Sequence, residues 1–180
     1  MRWDAIPAPP DKIALTRDLV ERVPASGWSR RTLADASASV LSDPDRWRGL
    51  FPNGSRDAIW FVSTVSDASM KLAFAAARAS DMSAVILERL DQNRDLKPFV
   101  RQVMLFDFTH PMQALARMDR TTRVMFECVE ARAMPPSRAA LIALNLVYTG
   151  IVFAWLFDRG PTDAFTRSLT PRAMKLIGLG

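Results

Sequence analysis

Two side chains in this 180-residue sequence are of types that often do chemistry, one histidine and one cysteine. Asp107 lies three residues before His110, but the proline that follows the histidine predicts that the pair straddles a helix end. Cys128 has Glu127 and Glu130 as neighbours, and acidic neighbours raise rather than lower the pKa of a thiol. The sequence also contains no glycine-rich phosphate loop and no metal-ligand spacing. It therefore predicts a protein that is not an enzyme and that has no cofactor or metal.

The sequence is rich in apolar side chains that could bind an apolar ligand. Nine methionines, ten phenylalanines and five tryptophans can line a pocket for a long apolar ligand, because methionine is flexible and fits irregular shapes. The candidate lipid-binding residues fall on helices expected to surround one interior: Met70, Phe74, Met104, Phe106, Met118, Met125, Phe153 and Trp155. The alternative is that these side chains only pack the core.

The last twenty residues combine basic and apolar side chains. From Arg159 onward the sequence contains four basic residues and one acidic residue, Asp163, so its net charge is 4 − 1 = +3. A basic amphipathic segment can lie on an anionic membrane with its apolar face buried in the lipid. The candidate membrane-contact residues are Phe165, Arg167, Leu169, Arg172, Lys175 and Leu176. The alternative is that the segment docks on its own body or on a sister subunit.

The composition fits a folded protein of one domain, or a small head on a larger body. Hydrophobic residues make up 49% of the chain, and the formal charge of +5 is compatible with nucleic acid or an anionic membrane as partner. The opening "MRWDAIPAPP" has no apolar block of the signal-peptide type, so residues 1–10 are predicted to be a loose arm. A single cysteine suits a reducing compartment. We expect a cytoplasmic protein, peripheral to the inner face of the membrane.

The elements that must position these residues are helices, and the predicted fold class is all-α with about nine helices. Residues 11–54 form a three-helix head, with Ser29 capping the second helix and Asp43-Pro44 starting the third. Residues 55–160 form a larger body, and residues 161–180 are the basic amphipathic segment. The helices predicted in the body are Ser55 to Ala79, Met82 to Leu90, Lys97 to Phe108, Met112 to Ala133 and, after Pro135, Arg138 to Phe157.

One segment is apolar enough to raise the question of a membrane span. Residues 139–157 contain no charge, and about 20 such residues are needed to cross a bilayer. The rest of the chain is too amphipathic for a membrane bundle. We therefore expect a helix buried among other helices or against a second subunit.

The first part of the chain resembles the TetR-type regulators, in which a small DNA-binding head sits on a helical body that binds ligand and dimerises. The resemblance lies in the three short helices and in "LFPNGSRDAIWFV", which leads into the fourth helix. If this head binds DNA, the residues are Arg30, Arg31, Arg46 and Arg48. From residue 10 to residue 60 the net charge is only 8 − 7 = +1, so DNA is an unlikely partner.

A second resemblance covers most of the chain. "ERVPASGWSRRTLADA", "LFPNGSRDAIWFVSTVSDASM" and "VYTGIVFAWLFD" look like the ubiquinone-biosynthesis accessory family, that of the ninth coenzyme Q biosynthesis protein. Where that family has an aromatic-rich run before its penultimate long helix, this sequence reads "MPPSRAA", as in a divergent member. The resemblance implies a non-enzymatic homodimer that binds an isoprenoid or quinone-type lipid and presents it to a partner enzyme. A ligand-responsive transcriptional regulator is the alternative.

Overall fold

The protein was analysed as a computed structural model that describes residues 1–129, 136–160 and 162–179. Over these ranges the all-α prediction is confirmed. The helices are α1 (Pro10–Ser26), α2 (Arg30–Leu41), α3 (Trp47–Leu50), α4 (Ser55–Ala73), α5 (Met82–Gln92), a 3-10 turn (Arg94–Leu96), α6 (Lys97–Thr109), α7 (Pro111–Cys128), α8 (Arg138–Phe157) and α9 (Ala164–Leu176).

Three helices are shorter than predicted, including α7, which ends at Cys128 instead of Ala133, with Val129 in an extended conformation. The third helix does not start at Asp43-Pro44, because the Asp43 carboxylate accepts from the Asp45 amide (2.9 Å) and holds a turn there. The fourth helix ends at Ala73 instead of Ala79, and the Ala79 amide donates to the Cys128 carbonyl at 2.9 Å. That pairing is between residues far apart in sequence, so alanine's helix propensity does not decide the local structure.

Of the other predicted boundaries, the start of the second helix is confirmed and two lie outside the described residues. Ser29 caps α2 by accepting from the Thr32 amide at 3.0 Å. The Pro135 before α8 and the start of the tail segment at Pro161 lie outside the described residues.

The buried apolar residues form two clusters. The head cluster joins α1, α2 and α3 to the first half of α4 and to α6; its largest members are Leu15, Leu19, Leu33, Trp47, Phe51, Phe61 and Phe99. The body cluster joins the rest of α4 to α5, α7, α8 and α9; its largest members include Met70, Met82, Ile86, Met125, Leu144, Trp155 and Met174. The predicted boundary after Gly54 therefore does not separate the clusters, because α4 contributes to both of them.

The sequence "VPASGW" joins the head to α6. Gly27 ends α1 with φ 67°, a left-handed conformation that a side chain would strain, and its amide donates to the Val23 carbonyl at 2.8 Å. Trp28 then packs edge-to-face on Phe99, with ring centroids 5.5 Å apart. This motif has a structural role in the described fold.

The N-terminal residues are packed rather than loose. The Arg2 amide donates to the Ser69 hydroxyl at 2.9 Å, and the same hydroxyl donates back to the Arg2 carbonyl at 3.1 Å. Trp3 and Ile6 lie partly buried on the head cluster. The prediction of a loose arm was wrong, because these apolar side chains and backbone groups find partners on α4 and the head.

Helix α9 lies on the body. Thr166, Thr170 and Met174 are buried, and the Asp158 carboxylate accepts from the Thr166 amide at 2.9 Å. That bond is the main reason that the pKa of Asp158 lies below its usual range. A second tie is the ion pair of Arg167 with Asp91 at 2.5 Å. One face of the tail segment therefore docks on its own body.

Helix α8 is buried on one side only. By length and composition, α8 could cross a membrane, and it is the one helix among the described residues that could do so. Its most apolar 18-residue stretch has a mean hydropathy of 2.0. Only 33% of that stretch is buried, so the expectation of a surrounded helix is met on the inner side alone.

Candidate functional site

Three of the candidate lipid-binding residues belong to the interior of the body cluster. Met70 and Met125 are completely buried, and Trp155 is 1% exposed. Lys97 lies over the Trp155 ring, with its ammonium nitrogen 5.0 Å from the ring centroid. These side chains fill the core in this conformation.

The other five candidates lie in three different places. Phe74, Met104 and Met118 are partly buried at the margin of the body cluster. Phe106 packs against the head cluster, and the Phe153 side chain points outward with half of its surface exposed. The structure therefore gathers six of the eight predicted residues around one cluster and separates Phe106 and Phe153 from it.

The most extensive apolar surface was not predicted from the sequence. Four residues form an outer stripe along α8: Ile142, Leu146, Phe153 and Phe157, each more than half exposed. Their spacing of four, seven and four residues places them on one side of the helix. Four more exposed apolar residues, the α6–α7 corner, surround the junction of those helices: Leu105, Phe108, Met112 and Leu115.

The stripe and the corner belong to helices that touch each other. The Met118 sulfur of α7 lies 3.6 Å from the Thr149 hydroxyl of α8, and the Arg101 guanidinium of α6 lies 5.7 Å from the centre of the Phe157 ring. The spacing of the stripe was visible in the sequence. It was hidden because the inner face of α8 is apolar too, so no polar side marks which residues face outward.

The predicted membrane-contact residues lie on α9, largely on its outer side. Phe165, Arg172, Lys175 and Leu176 are exposed, and Leu176 retains 88% of its surface. No described carboxylate lies within 4 Å of Arg172 or Lys175. Leu169 is half-buried, and Arg167 is bound to Asp91 instead of extending away from the body.

A buried ionic network ties four helices together inside the body. The Asp67 carboxylate of α4 accepts from Arg89 of α5 at 2.5 Å, and from Arg120 and Thr121 of α7 at 3.1 and 3.0 Å. Arg89 in turn donates to the Tyr148 hydroxyl of α8 at 3.0 Å. Both side chains of the Asp67–Arg89 pair are less than a tenth exposed.

This network was not predicted because its residues are far apart in sequence. Two arginines share one carboxylate, so Asp67 is the only described acidic partner of both. Buried charges of this kind are costly unless all of them are paired. The network fixes the helices around the body cluster.

The arginines of the DNA-binding alternative are largely paired within the head. Arg31 lies 3.7 Å from Asp35, and Arg46 lies 3.7 Å from Asp11. Arg48 binds the Asp45 carboxylate at 2.8 Å and also lies over the ring of Trp47, while Arg30 is exposed.

Helix α3, the element that would enter a DNA groove, is four residues long, and its Trp47 is buried. The arrangement of the head therefore does not favour the DNA-binding alternative.

The histidine and the cysteine have structural surroundings. The His110 ring stacks on Phe106 at 4.0 Å, and Asp107 pairs with Arg117 instead of the histidine. Burial raises the pKa of the Cys128 thiol, which keeps the sulfur protonated and weakly nucleophilic. Among residues 1–129, 136–160 and 162–179, no cluster of three metal-ligating side chains occurs.

No protein-family profile and no curated protein match this chain.

Proposed function

We propose that this protein is a non-enzymatic, TetR-like helical accessory protein that binds an isoprenoid or other lipid at a membrane surface. It would present this lipid to a partner enzyme, with ubiquinone biosynthesis as the pathway that the sequence resemblance suggests. The observation that carries the proposal is the exposure of large apolar side chains along α8 and around the α6–α7 corner. A contiguous exposed apolar patch on a folded protein marks a surface that binds another apolar partner.

We assign the α8 outer stripe to a second copy of the chain. The helix has 20 residues, about 30 Å in length, and it carries no charge after Arg138. A stripe of aliphatic and aromatic side chains without charges is complementary to itself, as a two-fold interface requires. This assignment gives the homodimer that the sequence resemblance implies.

We assign the α6–α7 corner to the lipid. Phe108 and Met112 are exposed by three quarters of their surface, and Met104 lies one helical turn before Phe108. Met118 lies three residues after Leu115, beside α8. An apolar chain lying over the corner would reach these two partly buried methionines, which are flexible enough to adapt to its shape.

Native mass spectrometry of protein purified without detergent, followed by lipid extraction, tests this assignment. The wild type should carry a stoichiometric lipid, and the double variant Phe108→Ser/Met112→Ser should retain at most about a fifth of it, because apolar contact area is lost. Leu72→Ser is the matched control, since Leu72 is an exposed apolar residue of α4 that lies outside the corner. A wild-type protein without lipid, or equal loss in the control, would contradict the proposal.

We assign membrane contact to the outer side of α9. Its exposed cations Arg172 and Lys175 flank the exposed Leu176, so the helix can pair with anionic headgroups while the leucine enters the lipid. Charge reversal is a cleaner test than truncation, because truncation would also remove the buried Met174 from the core.

Vesicle flotation with phosphatidylserine-containing liposomes measures this contact. Arg172→Glu/Lys175→Glu should reduce the bound fraction several-fold at low salt, since each basic residue near an anionic surface contributes on the order of 1 kcal/mol. Arg30→Glu, an exposed charge reversal in the head, should bind as the wild type does. Unchanged flotation of the α9 variant would exclude this helix as the membrane contact.

A further inference from the structure

A cleft of about 300 Å³ opens between the start of α4, the end of α6 and the first half of α7. Its polar lining comes from Asn53, Arg56, Asp57, Gln113 and Arg117, and its apolar lining from Ile59, Trp60 and Phe106. The volume lies at the lower end of the range of small-molecule sites, which suits a ligand of one ring.

Arg56 is the cation in this cleft that has no acidic partner. With the Gln113 amide oriented so that its oxygen faces the guanidinium, Gln113 accepts from Arg56 Nη1 and Nε at 3.0 and 2.8 Å. No carboxylate of the described chain lies within 4 Å of Arg56. Its remaining guanidinium hydrogens are free to bind an anion in the cleft.

The carboxylates near the cleft are already bound by donors. Asp57 accepts from the Asn53 amide at 2.8 Å and from the Asn53 side chain at 3.2 Å. Asp107 is paired with Arg117. Asn53 is neutral, so the formal charges of Arg56, Arg117, Asp57 and Asp107 cancel overall. The positive charge at the cleft is local to the guanidinium groups of Arg56 and Arg117, and Arg117 has further hydrogens beyond those that Asp107 uses.

The N-terminal ends of α4 and α7 contribute a positive potential at the cleft. Arg56 and Asp57 lie in the first turn of α4, and Gln113 lies in the first turn of α7. The N-terminal ends of both helices thus lie at the cleft, and each carries a partial positive charge.

Two of the three apolar lining residues, Trp60 and Phe106, are aromatic, and another side chain of the protein lies against one face of each ring. The Arg120 guanidinium lies 4.4 Å from the centre of the Trp60 ring, and the His110 ring stacks on Phe106 at 4.0 Å. Trp60 is nonetheless 41% exposed, so part of its ring is available to a ligand. Flat rings favour a flat ligand through offset stacking or edge contacts.

We propose that this cleft binds a small aromatic carboxylate, with the carboxylate on Arg56 and the ring against Trp60 and Phe106. The site is additional to the lipid and membrane surfaces proposed above, and it does not depend on them. A neutral arene would leave Arg56 without an anion, and an inorganic anion would leave the aromatic wall without a contact.

Isothermal titration calorimetry with benzoate as the probe tests the site. Benzoate should bind saturably with a dissociation constant on the order of 1 mM or lower, and neutral benzamide at least about tenfold more weakly. Arg56→Gln should weaken benzoate about tenfold or more, because a hydrogen bond to a charged group is lost. The matched control Arg30→Gln removes an exposed arginine of α2 and should leave the affinity unchanged.

Trp60→Leu separates the aromatic wall from the cation. It should reduce the preference for benzoate over cyclohexanecarboxylate, which has the same charge but no flat ring, and circular dichroism checks that the variant is folded. The proposal is overturned if benzoate does not saturate, if benzamide binds equally well, or if Arg56→Gln matches Arg30→Gln. Inorganic phosphate that binds where benzoate does not would also overturn the aromatic assignment.

Discussion

The head and the body of this protein bury their apolar residues to different extents. In the head, the apolar side chains of α1, α2 and α3 converge on one cluster, and the described ion pairs lie at its surface. The body has an ionic network inside and rows of exposed apolar residues outside, along α8 and around the α6–α7 corner. Helices α1, α2 and α3 of the head therefore have almost all of their large apolar side chains covered within a single chain, with Val40 as the exception at 36% exposure, whereas the body leaves apolar surface exposed.

This difference indicates where function should be sought. A region that covers its own apolar surface needs no partner for stability, so its role can be purely structural. A region that exposes large apolar side chains loses free energy to water until a lipid or protein covers them. Substitutions in the head and in the body should therefore have different effects.

The largest expected effect is on the network inside the body. Asp67→Asn should lower the free energy of unfolding by about 3–5 kcal/mol, because it leaves the buried Arg89 and the partly buried Arg120 without an anion. Urea unfolding measures the change. The matched control is Asp35→Asn, which breaks an exposed pair with Arg31 and should cost less than about 1 kcal/mol. Equal costs would show that the network does not hold the body together.

The next effect concerns the α8 outer stripe. Leu146→Glu should weaken self-association about thirtyfold or more, since a charge at a buried apolar contact costs at least about 2 kcal/mol. Light scattering after size exclusion should give a dimer for the wild type and a monomer for the variant. Leu72→Glu places the same charge on α4 and should remain dimeric. A monomeric wild type would rule out a second copy as the occupant of the stripe.

A smaller effect is expected in the head. The buried Ser37 hydroxyl donates to the Asp43 carbonyl at 2.5 Å and accepts from the Trp47 amide at 3.1 Å. Ser37→Ala should lower the free energy of unfolding by about 1–3 kcal/mol, because the Trp47 amide loses its partner and the Asp43 carbonyl keeps only the longer bond from the Arg46 amide, at 3.4 Å. Thermal and urea unfolding would measure it, with the exposed Ser39→Ala on the same helix as control. Dimerisation should be unaffected, because Ser37 lies in the head. A loss of the dimer would show that the stability of the head and the dimer interface of the body are coupled.

The smallest effect is a dependence on pH at the join of α6 and α7. Burial raises the pKa of Asp107 above its usual range, although Arg117 and His110 oppose the shift. The folded protein then holds this proton more tightly than the unfolded chain does. The contribution of Asp107 to stability therefore decreases as the pH rises from its unfolded pKa of about 3.9 through the raised folded value.

Asp107→Asn should remove this dependence. The free energy of unfolding of the variant, minus that of the wild type, should increase over a window that starts at the unfolded pKa of about 3.9 and ends at the raised folded pKa. Urea unfolding at several pH values in that window measures the difference. A constant difference would mean that the carboxyl group titrates alike in both states.

The sequence predicted the features that depend on neighbours along the chain. Ser29 is a cap that acts within three residues and starts the helix predicted from it, and Ser137 caps α8, whose predicted bounds of Arg138 to Phe157 are confirmed. Features that depend on distant residues were missed. The early end of α4 follows from Ala79 pairing with Cys128, and the arm is held by Ser69.

The candidate site shows the same division. Helical periodicity identified Met70 and Met125 as facing an interior, but it does not distinguish a pocket from a filled core. For α8 the periodicity was ambiguous, since Trp155 and Phe153 are both apolar and only the folded chain decides which is covered. The pairing of Asp67 with Arg89 joins two helices and has no local sequence signal.

The contribution of α6 to the head cluster has a consequence for the newly made chain on the ribosome. Phe99 and Val103 complete a core whose other members end at Val65. Translation at roughly 5–20 residues per second therefore leaves several seconds during which Trp47 and Phe51 have emerged but lack part of their cover. During that interval the head depends on whatever shields nascent chains, and synonymous codons that slow translation between α4 and α6 would lengthen it.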